Sequence, residues 1–96
     1  MRRVLYSVQA EQDLRQIVEH IALDDLTAAI DWLDATEALF GLLATHPALG
    51  QRMETPRWGE VRQHTADSYV IYYRFDDDGL QVLRVLHAAR EQDPLL

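Results

Sequence analysis

The chain has 96 residues, of which 48% are hydrophobic and 26% charged, and it contains no cysteine. This length and composition predict one globular domain spanning residues 1–96, and the absence of thiols excludes a disulfide framework and a thiolate-bound metal. Sixteen acidic residues against nine arginines and no lysine give a net charge of −7, which argues against general binding to nucleic acid.

The first half of the chain predicts a strand followed by two helices. Residues 3–6 are a short strand candidate, and Ser7 is typical of a helix N-cap. Apolar residues then recur at helical spacing up to Leu23. Residues 24–27 form a short link, and a second helix is expected at about 27–45, where His46 and Pro47 end it. Two amphipathic helices joined by so short a link predict an antiparallel hairpin.

The second half changes to the spacing of strands. Residues 47–59 contain two prolines and two glycines and predict an irregular loop. Strands are expected at 61–64, 68–75 and 80–87, with a turn at Asp78-Gly79 between the last two. Segregated helices and strands predict an α+β fold. In this fold the N-terminal strand and the helix hairpin pack on an antiparallel sheet whose opposite, concave face stays open.

Alternation along the strands predicts which side chains lie on that open face. One set, Tyr69, Ile71, Tyr73 and Phe75, is the more apolar and is expected against the helices. The other set is Val70, Tyr72 and Arg74. On the last strand Val82, Arg84 and Leu86 share one face and Leu83, Val85 and His87 the other. A partner-binding patch results if Arg62, Tyr72, Arg74 and Arg84 converge. The alternative is that these arginines are solvent-facing and form salt bridges with Glu54, Glu60 or the aspartates at 76–78.

Three further residues have both a binding and a structural interpretation. His87 and Arg90 contact a partner, or His87 donates to a backbone carbonyl that orders the tail while Arg90 pairs with a helix carboxylate. Trp58 anchors a partner or covers the edge of the core. The other histidines are far apart in the sequence, so neither a metal site nor a cofactor is expected. No apolar run approaches the roughly 20 residues that cross a bilayer, which favours a cytoplasmic protein.

Five local strings occur in a characteristic order. They are Tyr6-Ser7 followed by Ala10-Glu11 and Asp13-Leu14; His46-Pro47 followed by Leu49-Gly50 and Arg52; Arg62; Tyr69-Val70-Ile71-Tyr72-Tyr73-Arg74; and Leu83-Arg84-Val85-Leu86-His87-Ala88-Ala89-Arg90. This order resembles the ParE/RelE superfamily, the toxin half of bacterial type II toxin–antitoxin pairs, and in particular its ParE-like branch. The resemblance covers about residues 3–91, and the last string is its most specific part.

The resemblance implies one of two activities. RelE-like members are ribosome-dependent mRNA endonucleases, whereas ParE-like members inhibit DNA gyrase. The nuclease pattern has an arginine where this chain has Val70, lysines on the preceding strand and an aromatic residue near the C-terminus. This chain has no lysine, and no aromatic residue at 91–96. A phosphodiester-cleaving site needs several positioned cationic and proton-transferring groups, so their absence disfavours an enzyme.

The sequence therefore predicts a ParE-like toxin that inhibits gyrase by protein–protein contact and is neutralised by a cognate antitoxin in a hetero-oligomer. We expect a helix and an extended segment of the antitoxin to lie along the helix hairpin and the open sheet face. The candidate contacts to target or antitoxin are Trp58, Arg62, Tyr72, Arg74, Arg84, His87 and Arg90. The alternatives are an mRNA interferase, and an inactive superfamily member that serves as a binding module.

Overall fold

The computed structural model describes residues 3–89 and contains two helices packed on a five-stranded sheet. In chain order the elements are β1 (Arg3–Tyr6), α1 (Val8–Asp24), α2 (Leu26–Thr45), a 3₁₀ turn (Pro47–Leu49), β2 (Gln51–Thr55), β3 (Gly59–Ala66), β4 (Tyr69–Asp76) and β5 (Gly79–His87). The predicted α+β class is confirmed. No helix within residues 3–89 has the length and apolarity to span a membrane.

The strands lie in the order β1–β5–β4–β3–β2, and the sheet is mixed. All neighbours are antiparallel except β1 and β5, which run parallel with Arg3 opposite Gly79 and Tyr6 opposite Val82. The prediction of a wholly antiparallel sheet is therefore wrong for β1. Its partner is the last strand of the chain, and the local spacing of residues carries no signal for so distant a pairing.

The segment predicted as an irregular loop, 47–59, contains β2. Its five residues pair with β3, from Gln51 opposite Gln63 to Thr55 opposite Gly59. β2 is an edge strand, and Met53 is its only large apolar residue. The loop prediction rested on the prolines and glycines at 47, 50, 56 and 59, but these flank β2 and do not interrupt it.

Two side chains define the helix hairpin. Ser7 Oγ accepts a hydrogen bond from the Ala10 N–H at 2.9 Å and donates to the Leu83 carbonyl at 2.6 Å, which ties the start of α1 to β5. Asp25 separates α1 from α2 as a single linking residue. Its carboxylate accepts from the Ala28 N–H at 3.1 Å, and its own N–H donates to the Ile21 carbonyl at 3.0 Å. The predicted caps and hairpin are confirmed.

The main core lies between the helices and one face of the sheet. Phe40 and Leu43 of α2 are buried there against Ile71 and Tyr73 of β4, with Tyr69 at the margin. The side predicted for these β4 residues is confirmed. Phe75, assigned to the same set, is 38% exposed because it lies near the end of β4 outside this core.

An extra residue in β5 interrupts its alternation. Tyr72 is opposite Arg84 while Tyr73 is opposite Val82, so Leu83 has no counterpart on β4. Val82 and Val85 consequently both belong to the core beneath the helices. The predicted strict alternation from Val82 to His87 is therefore wrong, because a β-bulge shifts every later side chain by one position.

Candidate protein-docking surface

The sheet face opposite the helices carries a second, smaller apolar cluster. Tyr72 and Leu86 are each only 3% exposed, and Met53 and Val70 pack against them as half-buried neighbours. We call these four residues the open-face cluster. All four come from strands, so cross-strand contacts bury them. The predicted location of Val70 and Tyr72 away from the helices is confirmed.

Strands β3 and β4 separate at one end of the sheet. Their pairing runs from Ala66–Tyr69 to Arg62–Tyr73, although β3 already begins at Gly59 and β4 continues to Asp76. A hollow of about 120 Å³ lies between the separating ends. Its lining residues are Glu60, Val61, Arg62, Arg74 and Phe75. The separation therefore places two of the predicted site arginines beside the same hollow.

Arg62 anchors the loop before β2. Its Nη1 donates to the Gly50 carbonyl at 2.7 Å, and its Cζ lies 5.8 Å from the centroid of the Phe75 ring. Tyr73 holds the same loop, because its hydroxyl donates to the Pro47 carbonyl at 2.6 Å and accepts from the Gly50 N–H at 2.8 Å. Burial raises the pKa of the Tyr73 hydroxyl, so this hydroxyl stays protonated. Arg62 thus holds the loop before β2 in place, whether or not it also contacts a partner.

Trp58 lies in the turn between β2 and β3 and contacts two arginines. Thr55 Oγ1 fixes the turn by accepting from the Trp58 N–H at 2.9 Å and donating to the Gly59 carbonyl at 3.1 Å. The Cζ atoms of Arg57 and Arg74 lie 4.8 and 5.4 Å from the centroid of the indole ring. Both distances are within the range of cation–π attraction. We call Arg57, Trp58 and Arg74 the arginine–tryptophan cluster.

A neutral amide lies between Arg74 and the carboxylate of Asp76. Arg74 Nε donates to Gln81 Oε1 at 2.7 Å, and Gln81 Nε2 donates to Asp76 Oδ2 at 3.1 Å. Within residues 3–89, neither Arg57 nor Arg74 takes part in an ion pair. The structure therefore does not give Arg74 the salt bridge that one sequence interpretation allowed.

Arg52 is the arginine that pairs with one of the predicted acids. Its Nη2 lies 2.9 Å from Glu60 Oε2, and both side chains are at least half exposed. The guanidinium holds the pKa of the Glu60 carboxyl below its usual value through this hydrogen bond. An ion pair this exposed adds little to stability but neutralises the charge of Glu60 beside the hollow.

Arg84 does not join the other arginines. Its Nε donates to Asp13 Oδ2 at 2.8 Å and its Nη2 donates to Oδ1 at 3.0 Å. The guanidinium thus forms a bidentate salt bridge with a carboxylate of α1. The convergence of Arg62, Tyr72, Arg74 and Arg84, which the sequence left open, therefore does not include the Arg84 guanidinium, although Arg84 lies opposite Tyr72 in the sheet. The cause is that β1 covers β5 only up to Val82, which leaves the rest of this edge facing α1.

His87 lies where β5 ends and orders the chain that follows. Its Nδ1 accepts from the Ala89 N–H at 3.1 Å, and its ring meets the Tyr69 ring edge-on with centroids 5.4 Å apart. One sequence interpretation had this histidine ordering the tail by donating to a carbonyl, and in this contact its Nδ1 accepts instead. His87 also lines a groove of about 270 Å³ beside α1, together with Asp13 and His20. Arg90 lies outside the described residues.

The predicted site residues thus separate into three places. Trp58 and Arg74 meet in one cluster, and Arg62 lies beside it. Tyr72 lies in the open-face cluster. Arg84 and His87 lie along the second half of β5. Sequence reasoning missed Arg57, Gln81 and Asp13 as parts of these arrangements. Arg57 had a local signal, because it adjoins Trp58, whereas Gln81 and Asp13 act through contacts that only the sheet register creates.

In the described part of the chain, no group of three or more histidine, aspartate or glutamate side chains is placed to hold a metal ion. Comparison with protein families gives one match. A family model described as the ParE toxin of the type II toxin–antitoxin system parDE matches residues 4–92, which is nearly the whole chain. No curated protein matches the sequence.

Proposed function

The chain belongs to the ParE toxin family of type II toxin–antitoxin systems, and on this premise we propose that it acts in the cytoplasm as a gyrase inhibitor. Its action is by surface contact, and a cognate antitoxin neutralises it by covering the contacting surface. The observation that carries the proposal is the open-face cluster, whose members Met53 and Val70 stay partly exposed on the sheet face opposite α1 and α2. Apolar surface bordered by polar residues is characteristic of protein–protein docking sites.

The surroundings of the cluster support contact rather than catalysis. Cleavage of RNA needs cationic groups around the phosphate and a group that accepts a proton. Of the candidate cations in the described part of the chain, Arg84 is already neutralised by Asp13 and Arg62 donates to the Gly50 carbonyl, which leaves Arg74 as a single cation without an ion pair. Tyr72, the one ionisable side chain of the open-face cluster, is 3% exposed. These arrangements favour a binding surface over a nuclease centre.

The test measures DNA supercoiling by purified gyrase in the presence of the purified chain. We expect loss of supercoiling that is restored when the antitoxin encoded beside the toxin is added first. Val70→Glu should abolish inhibition, because it places a charge on the open-face cluster at a half-buried position. Leu23→Glu is the matched control, because Leu23 is 84% exposed at the tip of the helix hairpin, and it should inhibit like the parent chain.

Two outcomes would contradict this function. Cleavage of ribosome-bound mRNA, mapped by primer extension after induction, would make the chain an interferase. Harmless expression without the antitoxin, with no effect on gyrase, would make it an inactive binding module. Equal inhibition by the parent chain and Val70→Glu would leave gyrase as the target but place the contact elsewhere.

A further inference from the structure

The arginine–tryptophan cluster holds two cations that no carboxylate neutralises in the described part of the chain. Arg57 is exposed, and its guanidinium contacts the Trp58 ring without an ion pair. Arg74 is exposed as well and uses only its Nε, which donates to Gln81. The Nη groups of both arginines are therefore available to an incoming acceptor. This is unusual in a chain whose acidic residues outnumber its arginines by sixteen to nine.

Two acidic side chains close to the cluster in the sheet, Glu60 and Asp76, are already engaged. Glu60 pairs with Arg52. Asp76 Oδ1 accepts from the Asp78 N–H at 2.9 Å, and its Oδ2 accepts from Gln81 at 3.1 Å. These contacts keep both carboxylates directed at other partners. The cluster thus remains locally positive on an acidic molecule.

Stacking and hydrogen bonding hold the guanidinium groups in place before any partner arrives. Both lie against the same indole, and the hydrogen bond from the Trp58 backbone N–H to Thr55 Oγ1 fixes the turn that carries it. Gln81 fixes the plane of Arg74 by a 2.7 Å hydrogen bond. A preordered guanidinium loses less entropy when it binds, and its paired N–H groups match the two oxygens of a carboxylate.

We propose that the arginine–tryptophan cluster is a carboxylate-binding site that takes an acidic, extended segment of a protein partner. Arg57 and Arg74 each donate to one carboxylate, and the Trp58 ring holds the two guanidinium groups in place. The site lies beside the hollow between β3 and β4, which Arg62 and Arg74 line. One end of the segment would occupy this hollow. It requires neither gyrase inhibition nor any particular target, so it stands or falls independently of the proposed function.

Nucleic acid is the less suitable partner for this cluster. A base would need a free face of Trp58, but two guanidinium groups already lie within 5.4 Å of the ring centroid. A polyanion also meets the repulsion of a molecule with a net charge of −7, whereas a short acidic segment interacts mainly with the local cluster. The chemistry therefore favours carboxylates over phosphates.

The test uses the full chain and a dye-labelled, acetylated hexapeptide of alternating glutamate and leucine, with fluorescence anisotropy as the readout. We expect saturable binding, and binding about tenfold weaker or worse for the same peptide with glutamine in place of glutamate. The emission of Trp58 provides a local second readout in the Trp32→Phe background, and it should change with the same midpoint.

Three variants locate the site. Arg57→Gln and Arg74→Gln should each weaken binding about tenfold, because each removes one charge-assisted contact. Gln81→Glu should weaken it as strongly while leaving both arginines in place, because the new carboxylate neutralises Arg74 from within the chain. Arg15→Gln is the matched control, since Arg15 is an exposed arginine on α1, and it should bind within about twofold of the parent.

The proposal is overturned by several results. These are no saturable binding, equal binding of the glutamine peptide, or the same loss in Arg15→Gln as in Arg74→Gln. A single-stranded oligonucleotide that displaces the peptide at lower concentration than unlabelled peptide would show a phosphate site instead. Circular dichroism of each variant confirms that the fold is retained, and Gln81→Glu supports the conclusion if one arginine variant fails to fold.

Discussion

The Asp13 carboxylate links α1 to the part of β5 that has no β1 residue beside it. Besides its two contacts with Arg84, its Oδ2 accepts from the Val85 N–H at 3.0 Å. That N–H lies on the edge of β5 beyond the end of β1 and would otherwise lack a partner strand. The two side chains are only 11% and 15% exposed, and the hydrogen bond raises the pKa of Arg84. One carboxylate therefore satisfies a backbone donor and a largely buried cation.

We expect Asp13→Ala to lower the free energy of unfolding by about 3 kcal/mol, because it removes two hydrogen bonds from a largely buried guanidinium and leaves the Val85 N–H without an acceptor. Asp13→Asn should cost less, since the amide oxygen can still accept from Val85. Urea denaturation followed by circular dichroism measures both. Equal losses for the two variants would mean that the hydrogen bond from the Val85 N–H adds nothing beyond the charge of Asp13.

The parallel pairing of β1 with β5 depends on a glycine at the start of β5. Gly79 has a φ of +145°, and a Cβ at this position would collide with the backbone of Arg3 on β1. Gly59 also has a positive φ, of +68°, but no atom lies within 4 Å of the Cβ that it would carry. Gly79 therefore combines a backbone conformation that glycine adopts far more easily than other residues with a collision, whereas Gly59 has only the cost of a left-handed backbone.

We expect Gly59→Ala to cost roughly 1 kcal/mol of stability, from the left-handed backbone alone. Gly79→Ala should cost about 3 kcal/mol or more, because β1 must also move away from β5. Thermal and urea unfolding of the two variants give the comparison. A loss for Gly79→Ala no larger than that for Gly59→Ala would show that β1 adds little to the fold.

The charge of the whole molecule is unevenly distributed between its layers. Residues 1–45, which form β1 and the helices, contain eight acidic and three basic side chains and have a charge of −5. The remaining residues have a charge of −2 and contain the arginine–tryptophan cluster. Repulsion among the exposed acidic side chains of the helices opposes folding at low salt. Added salt shortens the screening length and therefore weakens this repulsion.

Raising sodium chloride from 10 to 200 mM should therefore increase the free energy of unfolding by roughly 0.5–1 kcal/mol. The double substitution of the exposed residues Asp31→Asn and Asp34→Asn should reduce this gain. Urea titrations at the two salt concentrations measure it. A decrease in stability with salt would mean that attractive ion pairs outweigh the repulsion.

The sequence alone determined both helices, four of the five described strands and the family. The helix hairpin follows from the caps at Ser7 and Asp25 and from the apolar spacing between them. Capping and helical periodicity depend only on residues that are neighbours in the sequence. Alternation likewise placed Ile71 and Tyr73 beneath the helices. The strings that indicated a ParE-like toxin lie within the residues that the family model matches.

The tertiary structure decided which distant residues meet. Arg84 reaches Asp13 across 71 positions of the chain, and Arg74 reaches Trp58 only because β3 and β4 separate beyond the Arg62–Tyr73 pair. The extra residue at Leu83 changes the face of every β5 side chain after it. Strand register and edge position set these contacts, and both depend on pairing between remote segments rather than on local spacing.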